Sequence, residues 1–201
     1  MNRLSSTDPA GGPPPRAPRH LPLVHGNVVL IGTGAFSVVE LPGWAALLRS
    51  WYGWSIRPCL THSADRLVSR EALAAAAGAA VRGPHWPTSE GMTPHQELAA
   101  WAELIIVAPA TTNFVAKCAT GMPDSLAVST VMSSTCPVVI APSVPEAALH
   151  RPSVRRNLKL LEEEGHYVVP TQEGMSVHTG RVGSGAMADL VTILRFTASV
   201  L

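Results

Sequence analysis

From residue 27 onward, short apolar runs alternate with longer stretches in which apolar residues recur every three or four positions. Asn27-Val28-Val29-Leu30-Ile31 is the first run, closed by Gly32-Thr33-Gly34. In the helical pattern that follows, Pro42 suits the first turn of a helix over 42–51, leaving 35–41 as a separate turn or a kinked start. Residues 54–60 read as a second strand, Thr61-His62-Ser63 as its exit turn, and 64–67 and 70–77 as helices. A loop rich in Pro, Gly and Ser covers 83–92. Thr93-Pro94 then opens a helix over 95–101, with Thr93 as N-cap and Glu97 able to complete a capping arrangement. The spacing further predicts strands at 104–108, 137–141 and 167–169 and helices at 111–120, 124–133 and 153–164, the last ended by Gly165. A Gly-rich segment, 179–185, precedes a C-terminal helix over 186–196. Continuous apolar strands separated by helices predict an α/β single domain, a parallel sheet with helices on both faces.

Composition refines this picture mainly at the N-terminus. With 201 residues, 46% apolar and 14% charged, the chain can build one domain with a sizeable core. Residues 1–25 hold Pro9, Pro13, Pro14, Pro15, Pro18 and Pro22 and few apolar side chains, so a flexible arm is expected there and the domain over 26–201. The arm lacks the apolar core of a signal peptide, and no later run is long enough to span a bilayer. Cys59, Cys118 and Cys136 are odd in number and unclustered, which suits reduced thiols in a cytoplasmic protein without disulfide or zinc. The eight histidines show no i, i+4 pair, so no metal is expected. A net charge of +1 offers no footprint for nucleic acid. The nearest basic cluster, Arg151, Arg155, Arg156 and Lys159, reads as a solvated helix face.

Candidate chemistry gathers at strand ends. Gly32-Thr33-Gly34-Ala35-Phe36-Ser37 lies between the first strand and first helix, where N–H groups and hydroxyls can cradle a phosphate. It has no third glycine at the dinucleotide spacing and no Lys-Ser/Thr ending, so a turn kept only for tight packing stays open. Thr61-His62-Ser63 and Pro109-Ala110-Thr111-Thr112-Asn113 end two further strands on the same rim of a parallel sheet. Three polar exits favour a mononucleotide-type cofactor. Small residues at 110–112 let a flat ring approach the backbone, and the Asn113 amide can donate and accept. His95, at a helix start, is a candidate base.

The segment HQELAAWAELIIVAPATTN from His95 to Asn113 and the following AKCATGMPDSLAVST resemble the homo-oligomeric flavin-containing cysteine decarboxylases. In that family the first corresponds to an active-site histidine followed by a Pro-Ala-Ser-Ala-Asn-Thr signature. The second corresponds to a helix and a Gly-x-x-Asp-Asn-Leu segment. The resemblance runs from Val28 to Leu194 and lies closest to the lantibiotic, epidermin-type peptidyl-cysteine decarboxylases. It implies a Rossmann-like (flavodoxin-like) fold and a homotrimer, often assembled into a homododecamer, with FMN, or in some members FAD, at the trimer contacts. It places Gly32, Thr33, Gly34 and Ser37 on the first flavin-phosphate turn, Ser63 on the second, and Ala110, Thr111 and Thr112 against the flavin ring. His95 and Asn113 fall on the catalytic histidine and the signature asparagine. In the implied reaction His95 assists proton removal, a hydride leaves the cysteine Cβ for the flavin, and the thioaldehyde so formed loses CO2 as an enethiolate.

Two segments depart from the family pattern. Its Pro-x-Met-Asn-x-x-Met-Trp motif, which helps hold the substrate carboxylate, here begins Pro142-Ser143-Val144-Pro145 and runs to His150. Backbone N–H groups, His150 or a nearby arginine such as Arg181 are left as carboxylate ligands. In VHTGRVGSGAMAD, Thr179 stands where the phosphopantothenoylcysteine enzyme has a cysteine that reduces the enethiol. A product released unreduced matches the peptide-modifying branch, whose corresponding segment, about 171–188, is a substrate clamp. The expected activity is therefore flavin-dependent oxidative decarboxylation of the C-terminal cysteine of a ribosomal precursor peptide, giving the aminoenethiol used in aminovinyl-cysteine formation, with other peptide-modifying enzymes as further partners. The alternatives are phosphopantothenoylcysteine decarboxylation and a non-catalytic flavoprotein regulator.

Overall fold

The computed structural model describes residues 13–14, 16–86 and 93–201. Five strands, β1 (Asn27–Gly32), β2 (Ser55–Leu60), β3 (Leu104–Ala110), β4 (Val138–Pro142) and β5 (Tyr167–Val168), form one sheet in the order β2-β1-β3-β4-β5. Every pairing in it is parallel. This is the flavodoxin-like order, as expected, and the chain reverses its direction of travel across the sheet between β1 and β3.

Strand residues alternate between two cores. Val28 and Leu30 of β1 and Leu104, Ile106 and Ala108 of β3 face one side, where α1 (Leu41–Tyr52), α2 (Arg70–Ala77) and α8 (Leu190–Val200) cover them. Val29, Ile31, Ile105 and Val107 face the other, under α3 (Pro94–Trp101), α4 (Thr112–Ala119), α5 (Leu126–Met132) and α7 (Pro152–Glu163). Both faces of β1 and β3 are thus withdrawn from water, which explains why these strands read as unbroken apolar runs; each such side chain contributes roughly 1.5–3 kcal/mol. Arg151, Arg155, Arg156 and Lys159 are exposed on or beside α7, with Lys159 paired to Glu163 at 3.2 Å, as a solvated face requires.

Four expectations are corrected. The region placed in a flexible arm is packed over its later part: Leu21 is buried in the core and Tyr52 donates its hydroxyl to the Pro18 carbonyl at 2.7 Å. The Glu103 carboxylate accepts the N–H groups of Val24, His25 and Asn27 at 2.8–3.1 Å. Residues 1–12, and 87–92 of the predicted loop, lie outside the described residues. Thr93 precedes α3, but its side chain makes no capping hydrogen bond. The Gly-rich segment is not a simple lead into a helix. It is half of an antiparallel hairpin, β6 (Gln172–Met175) with β7 (Val182–Ala186). The last helix begins at Leu190, not at 186, because Asp189 caps it by accepting the Thr192 N–H at 2.8 Å.

Candidate functional site

A cavity of about 1610 Å³ opens at the carboxyl ends of β1 and β3, beside the point where strand order reverses. It is framed by the turn after β1 (33–37), the turn after β2 (61–63), the start of α4 (111–114), the segment after β4 (143–146) and the hairpin.

Thr33 ties the first frame to the third. Its N–H and hydroxyl both donate to the Pro109 carbonyl, at 3.2 and 2.7 Å, and its Oγ1 accepts the Thr111 N–H at 2.9 Å. The residue is fully buried, so its polar groups hold the turns together and are not free for a ligand. Thr111 in turn caps α4, its hydroxyl accepting the Phe114 N–H at 3.4 Å. The helix accordingly starts one residue later than its apolar pattern suggests.

Gly34 lies against the second turn, where a Cβ would overlap the Cβ of Ser63. The absence of a side chain lets the two polar turns meet. The Gly34 and Ser63 N–H groups and the Ser63 hydroxyl make no hydrogen bond to other described residues, and Ser37 Oγ has only a 4.0 Å contact to the Met187 sulfur. Unspent donors on a glycine-tight concavity are what a phosphate monoester needs. Beyond them, half-buried Thr112 and exposed Asn113 present side chains without hydrogen-bond partners among the described residues to the same space.

Not every predicted residue reaches the cavity. Gly32 packs instead beneath it, its missing Cβ giving room to Leu41, Val38 and Leu60. Ala110 is buried at the end of β3, its carbonyl accepting the Ser143 N–H at 2.8 Å. Pro142 ends β4 and His150 follows α6 (Glu146–Leu149); neither lines the cavity, whereas Val144, Thr179 and Arg181 do. His95 does not line it either. Its ring lies 4.9 Å from that of Trp86, next to Pro84 and His85, which do line it, and its buried Nδ1 has no hydrogen-bond partner among the described residues.

Several lining residues escaped the sequence reading. Lys117 and Asp124 form an ion pair at 2.6 Å on one wall. Glu146 joins α6 to the hairpin, accepting the Ser184 N–H at 3.4 Å and its hydroxyl at 3.1 Å. Gly185, at φ +95°, adds a second tie: its carbonyl accepts the Val144 N–H at 2.9 Å, and a Cβ there would overlap the Val144 carbonyl. The acidic Glu146 directly after Val144-Pro145 was the available signal, but one charge at a helix start has many uses.

The cysteines stand apart. Cys59 and Cys118 are buried and their thiols pushed up to about 12 by desolvation; Cys136 is half-buried and also raised by burial. None lines the cavity. Among the described residues no three His, Cys, Asp or Glu side chains gather as a metal site, and no helix is long and apolar enough to cross a membrane.

A model of the Flavoprotein family matches residues 17–201, nearly the whole described chain. The chain belongs to the Flavoprotein family. This flavoprotein is similar to the FMN-dependent cysteine decarboxylase SpaF, at 31% identity and a TM-score of 0.75 over 87% of this chain and 96% of that one. It is also similar to TvaF, an FMN-dependent cysteine decarboxylase from thioviridamide biosynthesis, at 34% identity and a TM-score of 0.68 over 71% and 88%. Among curated relatives, the coenzyme A biosynthesis bifunctional protein CoaBC of Bacillus subtilis is 31% identical over 173 residues, 84% of this chain. The flavoprotein spans only 41% of that relative's length. FMN is the flavin named for both solved neighbours, and the free phosphate donors around Gly34 and Ser63 fit such a group.

Proposed function

We propose that this flavoprotein binds FMN in the cavity at the ends of β1 and β3 and decarboxylates a C-terminal cysteine oxidatively. The observation that carries the peptide-cysteine reading is the lining itself: polar turns suited to a flavin phosphate face a hairpin whose tip carries Thr179, and no thiol reaches the space. Gly34, Ser37 and Ser63 would hold the phosphate, with Thr111 and Thr112 beside the ring. Bound flavin supplies the oxidising equivalent, accepting the two electrons and hydrogens that the cysteine loses. The resulting thioaldehyde lies β to the carboxylate and takes up the electron pair released with CO2, leaving an aminoenethiol. With no cysteine at the tip to reduce it, that product leaves unsaturated. Likeness to SpaF and TvaF supports the same branch.

Asn113 presents its amide to the substrate in its own cavity. His95, which does not line that cavity, serves as the proton-removing group across a contact with a second copy, in a trimer that assembles further. The segment 171–188 acts as the clamp over the bound peptide. On this reading the protein works in the cytoplasm beside the enzymes that prepare its peptide.

The test is incubation of the yellow, flavin-loaded protein with a library of pentapeptides ending in cysteine. Loss of CO2 and two hydrogens from a member is expected, and uniformly unchanged masses would sink the reading. Likeness to CoaBC favours a second reading, decarboxylation of phosphopantothenoylcysteine. Turnover of that substrate but no peptide would establish it instead.

A further inference from the structure

We propose that Arg181 recognises the free α-carboxylate of the substrate's last residue and thereby imposes the requirement for a chain end; this rests on the cysteine-terminal reading above. The backbone of residues 143–145, along the wall after β4, has no donor to give a carboxylate. The Ser143 N–H is spent on the Ala110 carbonyl at 2.8 Å, the Val144 N–H on the Gly185 carbonyl at 2.9 Å, and Pro145 has none. His150 lies outside the lining, and Glu146 on the same wall repels a carboxylate. Two long cationic side chains line the cavity, and Lys117 is already neutralised by Asp124 at 2.6 Å. Arg181 is the other. Its guanidinium has no acidic partner among the described residues.

The backbone of Arg181 is fixed while its side chain is free. At the hairpin tip its carbonyl accepts the Ser176 N–H at 2.8 Å, and its own N–H donates to Thr179 Oγ1 at 3.3 Å. The residue before β7 is therefore held at a set height above the cavity, with a planar donor fork matched to a carboxylate. Exposure of Arg181 limits how strongly the pair binds. That suits a group that must depart as neutral CO2: a buried ion pair would hold the ground state, whereas a solvated one orients it and lets it go.

The experiment compares the flavin-loaded wild type, Arg181→Gln and Arg181→Lys on the best-processed pentapeptide of the library, as free acid and as C-terminal amide. Binding is followed by flavin absorbance and turnover by mass. The wild type is expected to bind the acid about tenfold more tightly than the amide, the value of one charge-assisted contact. Arg181→Gln should bring that ratio close to one by weakening acid binding alone, raising KM more than it lowers kcat, and Arg181→Lys should restore part of the ratio. Unaltered flavin spectra in both variants exclude a folding defect. An unchanged acid-to-amide ratio in Arg181→Gln overturns the inference and leaves the functional reading standing. A wild type that processes no cysteine-terminal peptide overturns both.

Discussion

Gly34 and Ser63 lie so close that the Ser63 Cβ occupies the space where a side chain on Gly34 would begin. The proposed phosphate cradle is therefore a contact between two strand ends as well as a property of each turn. Gly34→Ala should force the turns apart and weaken FMN by about tenfold or more, since overpacking of this kind costs roughly 1–3 kcal/mol. Flavin titration of the apoprotein measures it, and retention of wild-type affinity would show that the turns yield freely.

Thr33→Val keeps the shape of the side chain and removes its hydroxyl. The Thr111 N–H then loses its acceptor in a partly buried place, and a loss of about 1 kcal/mol or more in urea unfolding is expected. Thr33→Ser, which keeps the hydroxyl, should cost less. Equal losses in the two variants would mean that the methyl group, not the hydrogen bonds, matters.

Much of this fold was legible in the sequence, for physical reasons that differ by element. β1 and β3 are buried on both faces and announce themselves as apolar runs, and the polar residues that follow them mark the strand exits. The hairpin is hard to read from sequence because β6 is largely exposed, β7 is largely half-buried without alternation, and glycine occurs in both. Thr33 illustrates a subtler limit: a hydroxyl in a glycine turn suits a phosphate and an internal tie equally, and only the position of Pro109 and Thr111 decides between them. The site residues show the same division, since the turns around Ser37, Ser63 and Thr112 meet as their strand-end positions imply, while His95 falls outside the cavity for want of any sequence signal of distance.

If His95 serves a neighbouring copy, two dead variants should rescue each other. His95→Ala and Asn113→Ala subunits, each inactive alone, should regain about a quarter of wild-type activity when unfolded together and reassembled at equal amounts, since that fraction of contacts pairs two intact residues. Absence of any rescue in verified mixed oligomers would place both residues in one chain's site.

Glu103 provides a pH test. Burial pulls its pKa up, but the N–H groups of Asn27, His25 and Val24 outweigh that, and the folded value is lowered. Its contribution is present above the unfolded value and is lost as pH falls through the folded one. Glu103→Gln should lower Tm at pH 7, with the difference from wild type shrinking through the carboxylate range. A constant difference down to pH 3 would assign the effect to packing.

Burial of Cys59 and Cys118 predicts that a thiol reagent modifies only Cys136 in the native protein and all three cysteines after unfolding. Modification should leave activity unchanged. Inactivation by one-site labelling would mean that a thiol takes part after all.

The two ties at the base of the hairpin constrain sequence change unequally. Substitution at Gly185 meets the Val144 carbonyl, and Glu146 cannot vary without releasing Ser184. The turn at 176–181 is held more lightly, its side-chain restraints being the Ser176 and Thr179 hydroxyls that accept the Thr179 and Arg181 N–H groups, both at 3.3 Å. A lineage of such proteins can therefore exchange tip residues and acquire new peptides while the cradle beneath remains as it was, so divergence among relatives should concentrate in a handful of positions above an unchanging floor.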